Sequence, residues 1–250
     1  MNNDVVRRVL AELLGTGLLV ALVVGSGIMA QRLSPGQTGL ELLENSTATA
    51  LGLTVLILVL GPVSGAHFNP AVSLVDHVLG RRTGGLAAGE LAVYVPAQVA
   101  GGIGGAILAN LMFRLPAASV SHHVRSGTGL WLGEVVATAG LILVVFALAR
   151  TGRARLAAPA VGAYIGAAYW FTSSTSFANP AVTVARAFTD SFAGIAPASI
   201  LGFVLAQLLG AGIGGGLIAV LYPRPQPAAA PGPQARPVPA VPTTTARSRP

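Results

Sequence analysis

One short phrase occurs twice in this chain: FNPAVS at 68–73 and ANPAVT at 178–183. Nothing else in the sequence narrows the fold so far. Each Asn-Pro-Ala follows a loop of small residues and precedes a short apolar run. Proline fits the first turn of a helix, where its missing N–H would have no intrahelical partner anyway. Asn69 and Asn179 are therefore expected as N-caps, with Pro70 and Pro180 at the first helical positions and Ala71 and Ala181 behind them. Each apolar run lasts only about ten residues before Gly80 or Asp190, roughly half the thickness of a bilayer core at 1.5 Å per residue. Two half-length helices with capping asparagines belong to chains that bring helix tips together inside a membrane.

The rest of the chain supplies that membrane setting. Hydrophobic residues make up 53% and charged residues only 9%, against about a quarter charged in a soluble domain. Six apolar stretches are long enough to span, at about 9–30, 44–62, 88–112, 130–149, 156–173 and 197–222. The first is not a signal peptide by pattern, because Glu12 interrupts it and no small-residue cleavage site ends it. A net charge of +7 suggests nucleic acid until its distribution is read. All 15 lysine-or-arginine positions are arginine, Arg186 beyond the second Asn-Pro-Ala among them. Eleven (7, 8, 81, 82, 150, 153, 155, 224, 236, 247 and 249) fall on the side of the N-terminus, and three (32, 114 and 125) in loops on the other. The positive-inside rule then puts both termini in the cytoplasm and assigns the charge to orientation in a lipid bilayer, with no nucleic-acid partner. With no cysteine there are no disulfides or thiolate metal sites.

The two halves repeat each other. GEVVATAG at 133–140 echoes AELLGTG at 11–17, each with Glu four residues before Thr, and Gln207 in the last span matches Gln98 in the third. The separations are 122 residues for Glu12 and Glu134, 110 for the asparagines and 109 for the glutamines. Near-constant spacing over three landmarks marks a duplicated unit. Three spans per unit is an odd number, so the copies, about 1–113 and 126–222, insert upside-down relative to each other. Their half-helices then enter from opposite faces and meet tip to tip. The fold expected is an all-α integral membrane protein of six transmembrane helices and two re-entrant half-helices, filling residues 1–222. Runs such as GGIGG and GAGIGGG allow close helix approach. The Pro-rich stretch 223–250 reads as a disordered cytoplasmic tail, with a partner-binding peptide as the other possibility.

These motifs resemble the aquaporin and aquaglyceroporin family, the major intrinsic proteins, over about residues 7–222. The resemblance rests on both Asn-Pro-Ala boxes, GAHFNPAV, the two Glu-x-x-x-Thr segments and the Tyr-x-x-Ala-Gln span. It implies a homotetramer with one pore per subunit in the bacterial inner membrane, no cofactor, no metal and no enzymatic activity. Physics gives the same picture of the pore centre. Two helix N-termini facing each other make a positive potential that repels cations, hydronium included. Asparagine amides whose oxygens are committed to capping can donate to a passing solute oxygen. By resemblance, the carbonyls of Gly65, Ala66 and His67, and of Thr175, Ser176 and Phe177, form an acceptor ladder. Glu12 and Glu134 accept from the re-entrant loops; the other reading has them reaching interfacial water. The His67 side chain either packs against the loop or touches solute.

One departure from the family stands out. Most members carry arginine directly after the second Asn-Pro-Ala, and this chain has Val182. Counting from the two asparagines puts the remaining filter positions at Thr49, Ala167 (within a residue) and Ser176. The expected ring is small and uncharged, with no aromatic wall, and predicts a pore wide enough for larger neutral solutes. This combination resembles a bacterial subgroup associated with arsenic resistance. Glycerol-like polyols, arsenite or methylated arsenicals are the expected solutes, with water as an alternative; an ion-coupled secondary transporter and a closed scaffold are the competing classes. One turn beyond Val182, Arg186 lines the outer vestibule, pairs with Asp190 four residues on, or faces the lipid headgroups. The repeat maps Arg186 onto Asp76 at the opposite mouth, where it faces the vestibule or bonds a nearby arginine. His122 and His123, in an outer loop, are loop residues or a pH gate.

Overall fold

The structure, a computed structural model, describes residues 3–81 and 84–223. Arg82 and the tail from 224 onward, with its arginines, lie outside the described residues. Eight α-helices follow in order: α1 (Asn3–Leu33), α2 (Thr38–Ser64), α3 (Pro70–Gly80), α4 (Ala88–Met112), α5 (Thr128–Arg150), α6 (Ala157–Phe171), α7 (Pro180–Ala185) and α8 (Pro197–Leu221). Five are long and apolar enough to cross a bilayer outright. α6, with 15 residues, is not. A 3-10 turn at Ala154–Leu156 leads into it, and together they reach about 28 Å, close to the ~30 Å hydrocarbon core. The expected span at 156–173 thus ends two residues early, where Thr172 turns extended. α1 and α2 overrun their expected bounds, because hydropathy registers only the apolar part of a helix and their polar end turns continue the same hydrogen-bond ladder.

Packing follows the repeat. α1 lies along α4 as α5 lies along α8, while α2 and α6 pack against each other across the two halves. The intimate crossings are made by glycine. A Cβ at Gly101 would sit 2.1 Å from the Leu13 carbonyl oxygen, and one at Gly105 would sit 2.0 Å from that of Gly17. Their counterparts 109 residues on, Gly210 and Gly214, meet the carbonyl oxygens of Val135 and Ala139 at 2.4 and 2.7 Å. Backbone cannot retreat as a side-chain tip can, so these are contacts no larger residue reproduces. Gly105→Val is expected to force α1 and α4 apart and abolish detergent-stable protein in size-exclusion chromatography. Gly104→Ala, one residue away in open space, is expected to keep or raise thermal stability, by about 1 kcal/mol from helix propensity.

The two half-helices differ in length. α3 has 11 residues, but α7 has six and tightens into a 3-10 turn at Arg186–Phe188. The ten-residue run expected to Asp190 is cut short because its carbonyls are claimed elsewhere. Ala187 O and Phe188 O accept the backbone N–H groups of Ser121 and Ser119, and Arg186 O accepts that of Ile195. The 117–123 loop is thereby sewn to the end of the short helix.

Candidate functional site

Both asparagines cap their helices. Asn69 is extended (φ −155°) and its Oδ1 accepts the Ala71 N–H at 2.9 Å. Asn179 (φ −157°) accepts the N–H groups of Ala181 and Val182 at 3.0 and 3.2 Å. The same side chains join the two halves. Asn69 Nδ2 donates to Ala178 O at 2.8 Å, and Asn179 Nδ2 donates to Phe68 O at 2.7 Å. The helix tips therefore meet, each clamped to the loop that feeds the other. A primary amide has two N–H bonds, so each asparagine keeps one donor beyond the clamp. Both residues line a cavity of about 110 Å³.

The feeding loops are held in a backbone conformation that L-residues avoid. Ala66, Phe68, Thr175, Ser176 and Ala178 all have φ between 47° and 59°, each at a cost of about 1–2 kcal/mol. Two buried carboxylates hold them. Glu12 accepts from the N–H groups of His67 (3.0 Å) and Phe68 (2.7 Å), the Ser64 hydroxyl (2.6 Å) and the Gln98 amide (2.7 Å). Glu134 accepts from the N–H groups of Phe177 (2.9 Å) and Ala178 (2.8 Å) and the Gln207 amide (2.6 Å). Neither reaches water, since both are fully buried. Gln98 and Gln207, visible in the sequence only as repeat landmarks, also donate to Ser73 and Thr183, one turn into each half-helix. The left-handed residues keep the loops from winding into helix. The carbonyls of Gly65, Ala66, His67, Ser176 and Phe177, all in cavity-lining residues, accordingly accept nothing from the described residues. Thr175 is absent from the cavity wall. The His67 ring contacts Ser73 Oγ on the half-helix at 3.0 Å, and the residue is part of the cavity lining.

The expected filter ring is corrected in three respects. Thr49, Ser176 and Val182 line the cavity, but Ala167 is exposed on the outer surface of α6. The cavity face of α6 is the four-residue stripe Ala157, Val161, Ile165, Tyr169; Ala167 is about 200° round the helix from either neighbour in that stripe. The wall is also aromatic, since Tyr169 and Phe177 both line it, and Tyr169 OH donates to Thr49 Oγ1 at 3.4 Å. The stripe spacing in the sequence was a signal for Tyr169; counting from the asparagines passes over it. Finally, the wall is charged. Arg186 is buried and lines the cavity, with its Nε donating to Ala193 O and its guanidinium 3.4 Å above the Phe177 ring centre.

Arg186 does not pair with Asp190. That carboxylate bonds instead to the His122 backbone N–H (2.9 Å) and ring (2.8 Å), which hold it below the usual carboxylate range. His122 and His123 are thus tied to the 190 loop. Asp76 accepts the Leu86 N–H at 2.7 Å and borders a separate recess with Arg150, away from the main cavity. The repeat relation between Arg186 and Asp76 therefore does not extend to a shared vestibule role.

A helical membrane protein with two re-entrant half-helices, joined tip to tip beside a cavity lined with free carbonyls, has the architecture of a transmembrane solute channel. The major intrinsic protein family model matches residues 1–173. The chain belongs to that family. It is 56% identical over 209 residues to aquaglyceroporin AqpS of Rhizobium meliloti, covering 83% of this chain and 87% of the relative. It is 31% identical over 266 aligned positions to the glycerol uptake facilitator protein of Pseudomonas aeruginosa, covering 91% and 93%. The X-ray structure of the aquaglyceroporin from Plasmodium falciparum superposes with a TM-score of 0.65 at 22% identity, covering 86% of this chain and 95% of that one, and has the same fold.

Proposed function

We propose that the protein is a passive channel for small uncharged hydroxylated solutes: glycerol-like polyols, undissociated arsenite and methylated arsenicals. Protons and ions are excluded. The carrying observation is the pair of capping asparagines, clamped to each other's loops, each lining the cavity and each retaining one amide donor. A solute oxygen held by two donors cannot relay a proton through that point, and the facing N–H groups repel cations. Arsenous acid is a compact neutral tri-hydroxyl molecule and presents such a pore with the same groups as a small polyol. Val182, where most of the family has arginine, leaves room for it. The relatives named for glycerol uptake and as an aquaglyceroporin support the polyol part of this reading.

Thr49, Ser176 and Val182 act as the filter. Glu12 and Glu134 act as supports of the re-entrant loops, which leaves no paired midplane carboxylates for ion coupling by a secondary transporter. The protein sits in a bacterial inner membrane as a homotetramer with both termini cytoplasmic, as the arginine distribution indicates. Proteoliposome light scattering tests the function. Glycerol and arsenite influx is expected to rise linearly with concentration and without an ion gradient; saturable flux that needs one would indicate a transporter. Because the chain has no cysteine, thiol-specific mercurials are expected to leave flux unchanged, measured in the same assay.

A further inference from the structure

We infer that Arg186 does the work of a filter arginine from one helical turn further along: it sets the charge selectivity of the pore and, with the hydroxyl of Ser176, binds solute oxygens there. This rests on the channel reading above. Position 182, the usual site of the arginine, holds an apolar side chain that contributes neither charge nor donors. Residue 186 lies on the same side of the half-helix, four residues on, and lines the same cavity. Its orientation is fixed from two directions, by the Nε bond to Ala193 O and by the face of Phe177. Those contacts use one of its five N–H donors. Among the described residues none accepts from its Nη atoms and none forms an ion pair with it. No carboxylate is bonded to the charge, and the guanidinium end is available to whatever fills the cavity.

Ser176 is the independent observation. The residue lines the cavity, and its buried Oγ has no hydrogen-bond partner among the described residues. A buried hydroxyl without a partner is costly unless something visits it. A second arginine strengthens the field: Arg125, anchored on Gly194 O (2.9 Å) and Phe192 O (3.1 Å), has its guanidinium 5.3 Å from the same Phe177 ring. Beside these polar groups, one turn back on the same wall as Arg186, Val182 supplies an apolar surface. The solute class that fits is small and neutral, with oxygens for Arg186 and Ser176 and a carbon surface for Val182. Monovalent cations meet a positive charge without an ion-pair partner in a poorly hydrated site, where one unit charge is felt strongly.

The test is reconstituted channel assayed for potassium leak and glycerol flux in the same vesicles. Neutralising the side chain as Arg186→Leu is expected to raise the ratio of potassium leak to glycerol flux by about tenfold or more, and Arg186→Lys, which keeps the charge, to hold it near the unmodified value. Arg186→Gln, of similar length and still hydrogen-bonding, serves if the leucine variant does not assemble. Ser176→Ala, a one-atom deletion, is expected to lower the glycerol-to-water permeability ratio about threefold, as loss of one hydrogen bond would. A neutral variant that passes glycerol with no added potassium leak overturns the charge assignment, and an unaltered ratio in Ser176→Ala overturns the binding role. If the unmodified protein passes no neutral solute, the functional reading itself fails and this inference with it, a result distinct from either.

Discussion

Glu134→Leu is expected to yield a protein that no longer assembles stably, with a loss on the order of 5 kcal/mol. Three donors end on that carboxylate, from Phe177, Ala178 and Gln207. A buried donor left without an acceptor costs about 1–3 kcal/mol. The loop it holds contains three residues with positive φ, Thr175, Ser176 and Ala178, which return to ordinary backbone once the N–H groups are released. The melting temperature in detergent should fall by about 10–20 °C for a chain of this size. Glu134→Gln keeps one acceptor oxygen but turns a donor toward an N–H, so its loss should lie between. Glu12→Leu is the matching experiment in the other half, with four donors at stake. A leucine variant that melts within a degree or two of the unmodified protein would show that the loops are held by something else.

The second large effect is expected from Val182→Arg. Val182 is buried and lines the cavity, and Arg186 stands four residues further on the same wall. Like charges at that spacing repel, and here both would lie in a site largely withdrawn from water, where neither is well screened. The new guanidinium has no free carboxylate to meet and would lie across the passage. Glycerol and arsenite flux should drop about tenfold or more, with water less affected because it is smaller; a rise of about 1.4 kcal/mol in the barrier suffices for that factor. Light-scattering permeability for the three solutes checks it. Unchanged glycerol and arsenite flux would remove Val182 from the constriction.

The architecture was legible in the sequence because its determinants are local or strictly periodic. Proline after a capping asparagine starts a helix whatever surrounds it, and 109–122-residue separations declare the duplication and hence the inverted halves. The glycine runs signalled close helix crossings, and Glu12 and Glu134, too costly for lipid, had to face inward. The wall of the cavity was much less legible. Ala167 and Tyr169 differ by two positions on one helix, and which of them faces inward depends on the rotational phase of α6. That phase is set by its packing against α2 and α5 and by no neighbour in sequence.

Arg186 makes the same point more sharply. Spacing alone offers it Asp190 as a partner, one turn away, but the half-helix unwinds at that place because its carbonyls are taken by the 117–123 loop and by Ile195. Asp190 then meets His122, and Arg186 is left to a carbonyl and an aromatic face. By itself the sequence determined a duplicated membrane bundle with two capped half-helices, since capping, hydropathy and repeat spacing act within a turn or accumulate along the chain. Only the tertiary structure decided which side chains the solute meets, because that depends on hydrogen-bond acceptors and helix faces brought together from different segments of the chain.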